Sequence, residues 1–185
     1  MALTSRIPHD FGNLAFLVSL DLGNNNFRGN LPQEMACLGR LKFLKLSFNN
    51  FSGEVPSWFG FLHQLQYLNL RNNSFTGSLP FSFSNITKFE FLDMTYNSLE
   101  GRINKEIGSF ICLRYLSLGG NNLIGSIPQS ISNASMLETL LLSYNSLQGN
   151  LPEWINNLHH LKKLVVESNK LTCSIPLSVF NISKI

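Results

Sequence analysis

Seven asparagines, Asn25, Asn49, Asn73, Asn97, Asn121, Asn145 and Asn169, stand 24 residues apart. Around each recurs one frame, complete from Leu14 to Asn181. Leucines three, three and two apart lead to the asparagine, and an apolar residue, a glycine and an Ile/Leu/Val-Pro pair follow it. With so short a period, each unit can bury its leucines only against its two neighbours, so a solenoid without a central core is expected.

One coil shows how the frame works. In Leu41-Lys42-Phe43-Leu44-Lys45-Leu46-Ser47, alternation sends Leu44 and Leu46 inward and Phe43, Lys45 and Ser47 outward, as a short strand requires. Stacked copies of that strand give a parallel sheet on the inner, concave face. The chain must then turn, and the Asn49 amide can satisfy backbone groups left open by the bend. Repeated in every coil, the seven asparagines form a structural ladder inside the rod. Phe51 packs inward, Gly53 permits a close approach, Pro56 stiffens the return, and Ser57 to Phe61 forms a short 3₁₀ or irregular helix with Phe59 buried.

This organisation makes residues 1–185 a single array: a partial repeat over 1–13, seven 24-residue repeats over 14–181, and the start of another at 182–185, without caps. Because terminal coils of solenoids are normally capped, the chain reads as a piece of a longer array, with a truncated product as the alternative. Two positions depart from the frame: Cys173 stands where the glycine belongs, and Asn104 where the proline belongs.

Composition narrows the function. A net charge of +3, spread without a basic cluster, gives nucleic acid no surface to follow. No apolar run approaches the roughly 20 residues of a membrane span, and the N-terminus lacks the apolar stretch of an export signal. As written, the chain would be cytosolic if complete. Cys37, Cys112 and Cys173 fall in non-adjacent repeats, too far apart for disulfides or shared metal, and are expected to be free and at least half-buried. His159-His160 reads as a solvated loop. Asp21, Asp93 and Glu138 lie on the strands without a partnering constellation, so neither a catalytic site, a metal site nor a cofactor is expected.

Repeat surfaces recognise ligands through the columns that the frame leaves variable. The first outward column runs Ser19, Phe43, Tyr67, Phe91, Tyr115, Thr139 and Lys163, with four consecutive aromatics. Beside it lie Asp21, Lys45, Asn69, Asp93 and Ser117, and then Gly23, Ser47, Arg71 and Thr95. Phe43, Lys45, Tyr67, Asn69, Arg71, Phe91, Asp93 and Tyr115 are therefore the candidate ligand-binding residues, suited to an extended peptide. The competing reading is that aromatics favour strands and stabilise their own column. Asn-x-Ser/Thr sequons at Asn50, Asn72, Asn85, Asn133 and Asn181 are candidate glycosylation sites. Asn85, Asn133 and Asn181 share one position on the outer side.

The segments Phe27-Arg28-Gly29-Asn30-Leu31-Pro32 and Leu123-Ile124-Gly125-Ser126-Ile127-Pro128 resemble the plant-specific class of leucine-rich repeats, and essentially the whole chain matches. Leu41 to Pro56 is most similar to ectodomains of plant receptor-like serine/threonine kinases, particularly the subfamily that senses microbial peptides. The resemblance implies an α/β repeat fold: a right-handed solenoid with a parallel sheet on the concave face, short second strands and 3₁₀ or irregular helices elsewhere. It also implies an extracellular array whose parent carries a transmembrane helix and a kinase domain, neither of which lies in this chain. The expected function is binding of a peptide or protein ligand, with a co-receptor ectodomain as further partner, in immune or developmental signalling. Alternatives are a soluble inhibitor of cell-wall-degrading enzymes, resembling polygalacturonase inhibitors, and a truncated cytosolic scaffold or decoy.

Overall fold

The computed structural model describes residues 3–172; Cys173, Asn181 and the segment 182–185 lie outside them. Each coil opens with a three-residue strand: Ser19–Asp21, Phe43–Lys45, Tyr67–Asn69, Phe91–Asp93, Tyr115–Ser117, Thr139–Leu141 and Lys163–Val165. They form one parallel seven-stranded sheet in chain order. Register is fixed at one full repeat, so Phe43 pairs with Tyr67, Tyr67 with Phe91, and Phe91 with Tyr115.

Past each ladder asparagine the chain makes a second strand. Arg28–Gly29, Asn50–Glu54 and Ser74–Thr76 form one small parallel sheet, and Glu100–Arg102, Asn122–Gly125, Ser146–Gly149 and Lys170–Leu171 form another. Between the two, the amides of Ser98 and Glu100 still donate to the carbonyls of Phe75 and Gly77 at 2.8 and 2.9 Å. Five-residue 3₁₀ helices such as Ser57–Phe61 close each coil, and the described residues contain no α-helix. Close stacking of these helices depends on Gly60, where an added Cβ would lie 2.6 Å from the Ser82 carbonyl oxygen.

The leucines at the heart of each coil, Leu44, Leu68, Leu92, Leu116 and Leu140, are fully buried. Beneath the second strands, Phe27, Phe51 and Phe75 form a stacked spine with centroids 6.0 and 6.3 Å apart. On the helical side Phe59, Phe83, Phe89 and Phe110 meet edge to face. Burying a phenylalanine such as Phe51 stabilises by about 1.5–3 kcal/mol, so the spine welds neighbouring coils together.

Each asparagine of the ladder is saturated. Asn49 accepts the Phe27 amide on Oδ1 at 3.0 Å and donates Nδ2 to the carbonyls of Leu22 and Leu46 at 2.9 and 3.1 Å. The same pattern recurs at Asn73, Asn97, Asn121, Asn145 and Asn169. At the start of the array Asn25 accepts the Leu3 amide at 2.9 Å.

One expectation changes. Cys37 and Cys112 are free but exposed, not half-buried. Cys37 shares its repeat position with the exposed Phe61, Asn85 and Asn133, and Cys112 shares another with Arg40, Lys88 and His160, so both columns face water. Asn104 leaves its coil regular: at φ −66° and ψ 147° it has the backbone that prolines adopt elsewhere, and its Nδ2 donates to the Leu79 carbonyl at 2.6 Å.

Candidate ligand-binding face

Pairing Phe43, Tyr67, Phe91 and Tyr115 one repeat apart brings their rings face to face. Successive centroids are 4.3, 4.2 and 4.3 Å apart, with planes 15, 9 and 9° from parallel. The stack uses up the inner ring faces, and all four residues remain half-buried. A ligand meets ring edges, which carry the positive end of the aromatic quadrupole, together with the tyrosine hydroxyls. Such a strip complements peptide carbonyls and acidic groups, and no side chain can insert between the rings. Stacking thus stabilises the sheet and at the same time leaves ring edges and hydroxyls at the surface.

The second column behaves differently from a row of free side chains. Asp21, Asn69 and Asp93 each fold back to accept the amide two residues on, at Gly23, Arg71 and Thr95, over 2.8, 3.1 and 2.9 Å. Asp21, in the first coil, stays exposed, but the outward-facing positions read from strand alternation are in fact covered at Asn69 and at Asp93, which is 3% exposed. Asn69 also donates Nδ2 to the Tyr67 hydroxyl at 3.3 Å. Lys45, by contrast, reaches Asp21 at 3.0 Å. Burial raises the Asp21 carboxyl, but the Gly23 amide and Lys45 outweigh it and hold the group below its usual range.

Further along the face, Ser47 and Ser117 are buried, and Thr95 Oγ1 hydrogen-bonds Ser117 Oγ. The Tyr115 hydroxyl is pushed above its ordinary pKa, first by burial and then by the negative charge of Asp93.

Arg71 stands apart. Its guanidinium carbon lies 5.8 Å from the Phe48 ring centroid and 5.3 Å from that of Tyr96, cation–π contacts on either side. Nε is buried without a hydrogen-bond partner, and among the described residues no carboxylate oxygen lies within salt-bridge distance of this side chain. Phe48 and Tyr96 were missed by strand alternation because they sit in the turn, immediately before Asn49 and Asn97. The available signal was a column of Asn24, Phe48, Asn72, Tyr96, Gly120, Tyr144 and Ser168, as regular as the others.

Of the four sequon asparagines among the described residues, Asn85 and Asn133 end their 3₁₀ helices and are exposed. Asn50 and Asn72 are also exposed, Asn72 in the turn beside Arg71 and Asn50 on a second strand, where it donates to Asn26 at 3.4 Å. The histidine pair is exposed, with His160 Nδ1 beside the Ser135 carbonyl at 3.0 Å. Glu138 bridges Arg114 and Lys162, each at 2.7 Å, and hydrogen bonds from Lys162 and then Arg114 hold its carboxyl below the usual range. Among the described residues no group of three or more His, Cys, Asp or Glu side chains could hold a metal ion, and no helix is long and apolar enough to cross a membrane.

Models of leucine-rich repeats match residues 55–99, and residues 16–38, 40–62, 112–134 and 136–158. Among solved structures, the plant peptide hormone receptor RGFR1 in complex with RGF2 is 35% identical, with a TM-score of 0.96 over 98% of this chain and 29% of that one. The Arabidopsis receptor kinase HAESA, solved with the peptide hormone IDA and the co-receptor SERK1, is 29% identical, with a TM-score of 0.92 over 98% of this chain and 30% of that one. The ectodomain of the receptor kinase SOBIR1 from Arabidopsis thaliana is 34% identical, with a TM-score of 0.64 over 69% of each chain. The chain thus spans less than a third of the first two receptors. A comparison with curated protein sequences gives no significant match.

Proposed function

The chain belongs to the leucine-rich-repeat family, its array matching those of plant receptor-kinase ectodomains, and from that premise we propose that it is a peptide- or protein-binding segment of such an ectodomain. It would act outside the plasma membrane, in immune or developmental signalling, with a co-receptor ectodomain as second partner. The observation that carries this reading is the four-ring stack from Phe43 to Tyr115, flanked by Arg71, a half-buried cation without a carboxylate within reach. The two rings hold the guanidinium in place but leave it without an anionic partner among the described residues, so an incoming carboxylate or carbonyl can accept from its terminal N–H groups. Complexes of RGFR1 with RGF2 and of HAESA with IDA and SERK1 support the assignment by likeness. On the side away from the stack, Asn85 and Asn133 would carry glycans, leaving the sheet face open.

Peptides selected from a displayed random library against the purified chain provide the test. Arg71→Gln and the double variant Tyr67→Phe/Tyr115→Phe should weaken the selected peptides by about tenfold or more, with circular dichroism unchanged. Selected peptides that bind every one of these variants as tightly as the parent chain would count against the proposal.

A further inference from the structure

Phe48, Tyr96 and Tyr144 form a second aromatic row, one residue ahead of a ladder asparagine in alternate repeats, and are 44, 48 and 54% exposed. All three have left-handed backbones, with φ of 57, 54 and 55°. That region suits glycine and asparagine and is an outlier for bulky side chains, at a cost of order 1–2 kcal/mol. The intervening repeats place Asn24, Asn72 and Gly120 there, at φ of 56, 53 and 63°. The fold is therefore satisfied by a small polar residue at this position, and the cation–π contacts of Phe48 and Tyr96 with Arg71 account only in part for three large rings standing half in water. Strained residues that the fold does not need mark recognition sites.

We propose that Phe48, Tyr96 and Tyr144 form a rail for a proline-rich ligand segment in the polyproline II conformation. This rests on the peptide-binding reading above and gives the ligand a chemical class. Neighbouring strands are about 4.8 Å apart, so alternate repeats present a ring every ~9.6 Å. A polyproline II helix rises about 3.1 Å per residue with three residues per turn, which returns a side chain to the same side every ~9.3 Å. A fully extended β peptide does not fit, because the residue three positions on, which would reach the next ring, points to the opposite side. Flat aromatic surfaces are also the surfaces on which proline rings dock.

Arg71 and Gly120 fit the same occupant. A polyproline II segment makes no internal hydrogen bonds, so its carbonyls need outside donors. Arg71, held between Phe48 and Tyr96, supplies one between the first two ring positions through the terminal N–H groups of its guanidinium. At Gly120 a Cβ would overlap the Tyr96 ring, so the glycine leaves that ring its place on the rail.

Panning a random peptide library on the full chain tests the rail. Selected peptides should carry proline at every third position, and the triple variant Phe48→Asn/Tyr96→Asn/Tyr144→Asn should bind them at least tenfold more weakly without a loss of melting temperature. Asparagine already occupies this turn at Asn24 and Asn72, so the variant keeps the fold. Selected peptides without period-three prolines, or an unchanged affinity in the triple variant, would overturn the proposal. Peptides that ignore the triple variant yet depend on Tyr67 and Tyr115 would refute the rail while leaving the sheet-face reading standing. Peptides that depend on neither set would remove both.

Discussion

The ring of Tyr67 lies 4.2 Å from that of Phe91, within 9° of parallel, so each covers one face of the other. Phe91 has a second such neighbour in Tyr115 at 4.3 Å. Removing Phe91 opens two stacks at once, and each is worth about 0.5–1.5 kcal/mol beyond simple burial. Phe91→Ala should therefore destabilise by about 1–3 kcal/mol in chemical denaturation. Tyr67→Phe keeps the ring, loses only the hydroxyl that accepts from Asn69, and should stay within about 1 kcal/mol of the parent chain.

Asn121 is 8% exposed and ties together the backbones of two neighbouring coils. It accepts the Leu99 amide at 2.9 Å and donates to the carbonyls of Met94 and Leu118 at 3.1 and 3.0 Å. Alanine would orphan the buried Leu99 amide, at about 1–3 kcal/mol, and take one bond from each carbonyl, though Met94 and Leu118 keep those from Asn97 and Asn145. A loss of about 2–4 kcal/mol is expected for Asn121→Ala, with amide exchange accelerating first at Leu99.

Much of this could be read from the chain itself. The period placed the strands at Phe43–Lys45 and its equivalents, and the asparagine column inside the rod, because leucine spacing and backbone satisfaction are both periodic. The depth of Asp93 and Asn69 was not legible. Alternation predicts which way a strand residue points, but not that a short polar side chain will curl back onto an amide two residues on. Phe48, Tyr96 and Tyr144 escaped because they lie in the turn, outside any alternation, and their left-handed backbone is the opposite of what bulky residues prefer. The exposure of Cys37 and Cys112 was missed because a cysteine is so often a core residue that type outweighed column.

Two glycines at different positions of the repeat should respond in opposite ways. At Gly60 a Cβ would meet the backbone of the next helix, 2.6 Å from the Ser82 oxygen, with no side chain able to give way. At Gly39 nothing lies within 4 Å. Gly60→Ala should destabilise by about 1–3 kcal/mol. Gly39→Ala should be neutral or stabilise by up to about 1 kcal/mol, by restricting the unfolded chain. Paired denaturation curves decide.

Tyr115 should titrate late. Burial and then Asp93 disfavour its phenolate, so its folded pKa lies above the unfolded value. The resulting stabilisation is fully present below the unfolded tyrosine pKa and is lost as pH rises through the folded one. In an ultraviolet titration of tyrosinate, Tyr115→Phe should remove the latest step. Asp93→Asn should move that step down.

The central claim is that the stacked face of the seven-stranded sheet is the binding surface. A library-selected peptide carrying a photoreactive group, cross-linked to the intact chain and mapped by mass spectrometry, tests it most directly. Cross-links should fall on Phe43, Tyr67, Phe91, Tyr115 and Arg71. Cross-links concentrated on the 3₁₀ helices, around Ser57–Phe61 or Gln129–Asn133, would contradict it.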